Sequence, residues 1–357
     1  MSLSVNGEEY SEPEFKGGRI LRSVICVHEK FDLNWPFSAD HWHERWKEQG
    51  DCDFYRTEDP DATVLELVND PASVTRLAIL GFSVDDDMLD PFSALEECHA
   101  QSRGWRDQNG ILDRTKARGV SFIPHRVDVY WGQSVAEFGL AMTINALRRI
   151  PQTYVAMMES HETWQYRPEG GIGKPGQRGI QFGDTTQFVS GTLSGKRVRV
   201  VGVGSIGGRY ASWCSALGAD VAVWDPFAPD AAFRLANARR EFHLPELIAD
   251  AEIFVTMVPL TDDTRGMITG ELVEKIPGGS LVVQVTRAPI MDTEVLYRRV
   301  INDELALAAD VFDKEPLPLD SPLLGRHNVI HTPHNAGRTR DSNLAMTDDQ
   351  IARFRPR

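Results

Sequence analysis

Long apolar runs are missing from this 357-residue sequence. None approaches the ~18 residues a membrane-crossing helix needs, which excludes a helical span. Basic residues are in the minority, 38 Lys and Arg against 52 Asp and Glu, and the net charge of −14 argues against nucleic acid or an anionic membrane as partner. Cysteine is scarce. Cys26, Cys52, Cys98 and Cys214 are scattered without a Cys-x-x-Cys spacing, so they read as reduced thiols rather than a disulfide scaffold or zinc site. The opening residues Met1 to Glu9 lack the basic and apolar segments of a secretion signal, and a cytoplasmic protein is expected. His41 and His43 flank Trp42 and precede Glu44, but no partners stand at ligand spacing; the stretch reads as a solvated helix face, and no metal is expected. Repeats and low-complexity tracts are absent, and the length is ample for two cores.

What is present centres on Gly202, Gly204 and Gly207, a Gly-x-Gly-x-x-Gly turn. Arg197 to Val201 ahead of it reads as a buried strand, and Ile206 to Leu217 behind it as a helix. The next strand, Val221 to Trp224, delivers Asp225 at the distance where a dinucleotide fold places its ribose-binding acid. Glycines let the backbone approach a pyrophosphate, the amides of Ser205 and Ile206 at the helix start point at it, and Asp225 would repel a 2′-phosphate. The expected cofactor is therefore NAD.

The glycine turn lies far from residue 1, so another domain precedes it. Strands are expected at Ser23–Val27, Leu77–Leu80 and Val120–Ile123, separated by helix-prone stretches such as Ala62–Val68 and Ser93–Cys98. A single long helix is expected over Ser134–Met158, and Pro168–Gly191 reads as an irregular excursion. From Lys196 onward strands recur at Ile253–Val258, Leu281–Val285, Ala306–Ala309 and Val329–His331, with helices over Gly270–Ile276 and Asp292–Ile301; a last helix is expected over Asp341–Phe354. This alternation predicts an α/β protein of two Rossmann-like or flavodoxin-like domains with doubly wound parallel sheets and a cofactor cleft between them. Residues 1–133 with 337–357 would form a substrate domain, and 134–336 the NAD domain.

Ligands of such sheets sit beyond the carboxyl ends of the strands. The polar residues there are Asp225, Pro259 with Thr261 and Thr264, Thr286 with Arg287, Asp310 with nearby Glu315, and His334. Taken in order, the Gly202 turn, Val258-Pro-Leu-Thr261 with Thr264, the Arg287 segment, Leu307-Ala-Ala-Asp310-Val-Phe-Asp-Lys-Glu315-Pro-Leu and Thr332-Pro-His334 with Thr339 resemble the D-isomer-specific 2-hydroxyacid dehydrogenases. So does Val135-Ala-Glu137. The resemblance covers Ser134 to Thr339 and reaches the first domain only loosely.

The resemblance implies roles. Arg287 would hold a substrate carboxylate, His334 would be general acid or base, and Glu315 would bond the other imidazole nitrogen and stabilise the protonated ring. Asp310 would bind the nicotinamide carboxamide or adjacent groups and help select the hydride face, and Pro259, Thr264 and Thr286 would line the cofactor cleft. Arg103 and Gly104 are the candidates for a carboxylate-binding loop in the first domain. Tyr130, Trp131 and His125 are open to a pocket or a core role. The implied function is NAD-dependent interconversion of small 2-hydroxy and 2-keto acids of the glyoxylate or hydroxypyruvate type, in a homodimer joined through the long helix and the excursion after it. The competing function is a nicotinamide-sensing, corepressor-like scaffold on the same fold. A Tyr-x-x-x-Lys pair of the short-chain dehydrogenases is absent. Departures from the family pattern are Ala288 where Gly is usual, tolerable only at negative φ, and Gln284 where Asn is usual.

Overall fold

A computed structural model describes residues 21–84, 87–101, 109–125, 130–164 and 184–356. The chain sorts into two units: one runs through His125 and resumes at Leu344, and the other is Arg126–Asn343. The expected domains, 1–133 with 337–357 and 134–336, overlap these units except for a few residues at each boundary.

The first unit is a five-stranded parallel sheet ordered β2-β1-β3-β4-β5, built from β1 (Ser23–His28), β2 (Cys52–Thr57), β3 (Arg76–Leu80), β4 (Glu97–Gln101) and β5 (Ser121–Pro124). All residues of β1, β3 and β4 are buried, as befits parallel strands covered on both faces. Ser93–Cys98 is not helical: β4 begins at Glu97, because Arg355 N donates to the Glu97 carboxylate at 3.0 Å and the Arg76 guanidinium lies nearby. Helices α1 (Glu29–Asn34), α2 (Ser38–Lys47), α3 (Val64–Leu67) and α4 (Asn109–Ala117) accompany the sheet. The stretch read as a solvated face is α2, and it is amphipathic instead. Trp42 and Trp46, four residues apart, are buried on one side and meet Phe354 edge-on. His41 bonds Asp348 at 2.8 Å, and His43 stacks on Phe54. His125 is a core residue, packed against His99 and Trp35.

The second unit opens with α5 (Trp131–Arg148) and α6 (Ile150–Glu159). These replace the single helix expected there. Arg149 takes a left-handed conformation (φ 52°) and Pro151 stands in the first turn of α6, so the amide ladder cannot run through. Seven parallel strands follow, β6 (Arg197–Val201), β7 (Asp220–Trp224), β8 (Arg239–Glu241), β9 (Ile253–Thr256), β10 (Leu281–Gln284), β11 (Ala306–Ala309) and β12 (Val329–His331), in the order β12-β11-β10-β9-β6-β7-β8. Helices α7 (Gly207–Ala216), α8 (Asp230–Leu235), α9 (Leu244–Ala249), α10 (Gly270–Glu274) and α11 (Thr293–Ile301) connect them, and α12 (Arg340–Ile351) holds the boundary between units. Gly139 lets α5 lie close on the sheet, since a Cβ there would stand 3.2 Å from Met257 and Val285 side chains. Among the described residues no helix is long and apolar enough to cross a membrane.

Candidate active site

The order of the seven strands reverses at β6, and the carboxyl ends of β6 and β9 flank that switch point, where open α/β sheets bind ligands. The three glycines after β6 do different work. Gly202 turns the chain at φ 98°, and a Cβ there would stand 2.7 Å from Val258. Gly207 packs α7 onto the strand so tightly that a Cβ would lie 2.1 Å from the Gly202 carbonyl oxygen. A Cβ on Gly204 would meet no atom of the described residues within 4 Å, its chain neighbours aside. A turn, an open approach and a close helix contact are what a pyrophosphate requires of this motif, so the residues present fit a dinucleotide. Ile206 is the N-cap of α7 and has no side-chain cap bond, which leaves the helix start facing the same opening.

Asp225 follows β7. One of its oxygens accepts from Val203 N at 3.0 Å and the other from Phe227 N and Ala228 N, each at 3.0 Å. The carboxylate therefore ties the glycine loop to its own loop. After β9, Thr264 Oγ1 donates to the Pro259 carbonyl at 2.6 Å and accepts from Thr261 N at 2.8 Å, fastening that loop to itself. Thr286 is buried, and its hydroxyl donates to the Thr256 carbonyl at 3.0 Å; it does not present a free hydroxyl to a ligand.

Arg287 is exposed in extended backbone (φ −150°), with Nη1 donating to the Thr286 carbonyl at 2.7 Å. Ala288 opens a 3-10 turn and is not among the positive-φ residues, so the departure from glycine does not displace Arg287.

His334 and Glu315 come together. His334 Nδ1 lies 2.7 Å from Glu315 Oε2, and Glu315 Oε1 accepts from Phe312 N at 2.9 Å. Burial by itself would raise the Glu315 pKa, but the bonds from His334 and the Phe312 amide, with the charges of His334 and Arg287, hold it below the ordinary carboxylate value. With an ionised acceptor at Nδ1, the ring carries its hydrogen there and exchanges protons at Nε2.

Asp310 is engaged with its own loop. It is fully buried, its Oδ1 accepts from Thr332 Oγ1 at 2.6 Å and Asn335 N at 3.1 Å, and its Oδ2 from Ala336 N at 2.9 Å. These bonds pin the loop on both sides of His334, whose φ of 54° is a strained value for a side-chain-bearing residue. Ser134 of α5 holds the other side of that loop, donating to the Ala336 carbonyl at 2.5 Å. Neither pinning role was legible in the residue types. Arg103 and Gly104 lie outside the described residues.

Comparison with known proteins decides the family. The profile of the D-isomer specific 2-hydroxyacid dehydrogenase NAD binding domain matches residues 140–336, more than half of the chain. The chain belongs to this family. This D-isomer specific 2-hydroxyacid dehydrogenase family member is 32% identical over 213 residues to the D-3-phosphoglycerate dehydrogenase of Archaeoglobus fulgidus, covering 59% of this chain and 36% of that protein. It is 27% identical over 301 residues to glyoxylate/hydroxypyruvate reductase B of Pectobacterium atrosepticum, covering 81% and 86%. The chain spans little more than a third of the length of the phosphoglycerate dehydrogenases it matches. An NAD-complexed D-isomer specific 2-hydroxyacid dehydrogenase from Lactobacillus delbrueckii ssp. bulgaricus shares the fold, with a TM-score of 0.64 at 19% identity over 92% of this chain and 96% of that one. The matched residues lie within the second unit, which thus carries the NAD-binding domain of this family.

Proposed function

We propose that the protein is an NAD-dependent 2-ketoacid reductase and D-2-hydroxyacid dehydrogenase, acting on a small acid of the glyoxylate or hydroxypyruvate type. The observation that carries this reading is the His334–Glu315 pair at 2.7 Å, with Arg287 close enough for its charge to act on Glu315. When bound, NAD(H) supplies or takes up the hydride at the substrate carbon. Gly202, Gly204 and Gly207 with the Ser205 and Ile206 amides would hold its pyrophosphate, Asp225 its adenosine ribose, and the Pro259–Thr264 loop the adjoining wall.

The chain's own residues do the rest. Arg287 pairs with the substrate carboxylate through its planar fork and draws electron density from the neighbouring carbonyl. His334 Nε2 gives its proton to the carbonyl oxygen in reduction and takes it from the hydroxyl in oxidation. Glu315 stabilises the charged ring that precedes the first event and follows the second. Asp225 disfavours a 2′-phosphate, supporting NAD over NADP.

The exposed apolar face of α6 (Ile150, Tyr154, Val155, Met157 and Met158) supports a homodimer formed through this helix, which light scattering of the full chain reads directly. The function is tested with NADH and a panel of 2-ketoacids, followed by nicotinamide absorbance. Turnover is expected, with a loss of at least about 10²-fold in His334→Ala. Tight NADH binding with no turnover on any ketoacid would favour the scaffold reading instead.

A further inference from the structure

The first unit has a switch point of its own. In its order β2-β1-β3-β4-β5, the chain winds one way from β1 to β2 and the other way from β1 to β3, so a crevice opens beyond the carboxyl ends of β1 and β3. A cavity of about 400 Å³ sits there, lined by residues that follow both strands and by the loop leading into α3. Its walls are fixed by bonds within the unit. His28, at the end of β1, accepts from Lys30 N through Nδ1 at 3.2 Å and meets the Asp59 carbonyl through Nε2 at 3.1 Å, which ties the loop after β2 to the tip of β1. Thr63 and Glu66 close a reciprocal capping box at the other lip. Gly81 turns beneath at φ 85°, where a Cβ would stand 2.9 Å from Phe31.

The floor and the rim differ in chemistry. Both imidazole nitrogens of His28 are engaged, and the ring stands edge-on to Phe82 at 5.5 Å; with buried Val64 and Met88 they make an apolar floor. The rim carries Lys30, Asp61 and Asp87, none of which forms an ion pair among the described residues. Among the described residues, one ammonium and two carboxylates stand around an apolar floor, which complements a molecule with one anionic group, one cationic group and an apolar body. We propose that this cavity binds an α-amino acid with an apolar side chain. Its carboxylate meets Lys30, its ammonium meets Asp61 and Asp87, and its side chain lies against Phe82. The proposal does not rest on His334, Glu315 or Arg287, so its failure would leave the dehydrogenase reading untouched.

The test is titration calorimetry of the full chain with L-leucine and L-phenylalanine, and with 4-methylpentanoate and 3-methylbutylamine, which keep the leucine body and lose one charged group each. Saturable binding of at least one amino acid is expected. Partly exposed ion pairs are worth modest factors, so Lys30→Gln and Asp87→Asn should each weaken it by about fivefold, as should loss of either charged group from leucine. Lys30 and Asp87 lie at the cavity rim, so these variants should keep the wild-type fold. Ala62→Phe, which fills the cavity and leaves its charges, should abolish binding while the unfolding temperature stays near wild type. No heat from either amino acid at millimolar concentration, binding undiminished in Lys30→Gln, or equal binding of 4-methylpentanoate would each overturn the proposal.

Discussion

Replacing Asp310 by Asn separates a residue that pins the His334 loop from one that touches the cofactor. The carboxylate accepts three hydrogen bonds in a site closed to solvent, from Thr332 Oγ1, Asn335 N and Ala336 N. Asparagine keeps one acceptor oxygen and turns an NH2 group on at least one of those donors. A buried donor left facing another donor costs about 1–3 kcal/mol, and the two remaining bonds lose their charge assistance. A total near 3 kcal/mol is expected. At roughly 2–4 °C per kcal/mol for a unit of this size, the unfolding transition of the NAD-binding unit should fall by roughly 6–12 °C. Relaxation of His334 from its left-handed backbone would move the imidazole by around an ångström, which lowers kcat/KM about 10²-fold. Scanning calorimetry and steady-state kinetics read these effects, and NADH fluorescence titration supplies the control. Because Asp310 is fully buried, NADH affinity should be unchanged. A variant that melts at the wild-type temperature yet binds NADH much more weakly would refute the reasoning and return Asp310 to the cofactor.

Glu315→Gln should keep the ring bonded but lower kcat by about 10²–10³, since the carboxylate that stabilises charged His334 is gone. The Glu315 pKa is held down in the folded state, so its contribution to stability is present above the ordinary carboxylate range and lost as pH falls through the lowered value; the difference between wild type and this variant should be flat above about pH 5 and shrink below it. Burial pushes His99 down to about 4 and His125 down to about 3. The unfolded chain takes up these protons first, so stability of the first unit should be full above about pH 6.5 and fall as pH drops below it, by a few kcal/mol per histidine; urea unfolding that is flat between pH 7 and 4.5 would contradict this. Asp225→Ser should admit NADPH as a reductant and also loosen the glycine loop, raising KM for NADH.

Much of the second unit was legible in the sequence because its strands are short apolar runs flanked by turn residues. Ile253 to Val255 and Leu281 to Val283 are buried, and burial on both faces of the sheet leaves an unbroken apolar run. The strands that escaped notice are polar. Neither Cys52–Thr57 nor Arg239–Glu241 contains a fully buried residue, and each is an edge of its sheet. Glu97–Gln101 is buried yet largely polar: Arg76 and Arg355, distant in sequence, meet Glu97, and the Ile123 carbonyl meets His99. The catalytic candidates were legible because Arg287, Glu315 and His334 follow strand ends in order. What Asp310 and Ser134 do was not, because it depends on which way a carboxylate and a hydroxyl face.

The first unit draws on distant stretches of the chain. Phe354 fills the space against Trp42 and Trp46, the Arg76 guanidinium is capped by the Arg355 carbonyl at 2.6 Å, and Asp348 reaches His41. During synthesis the sheet that begins at Ser23 must therefore wait, with Trp42, Trp46 and Arg76 uncovered, while more than two hundred further residues emerge and the NAD-binding unit acquires every strand it needs. The half made first is the half finished last, and released chains truncated before Leu344 should expose those tryptophans to chaperones and quenchers while already carrying a complete seven-stranded sheet.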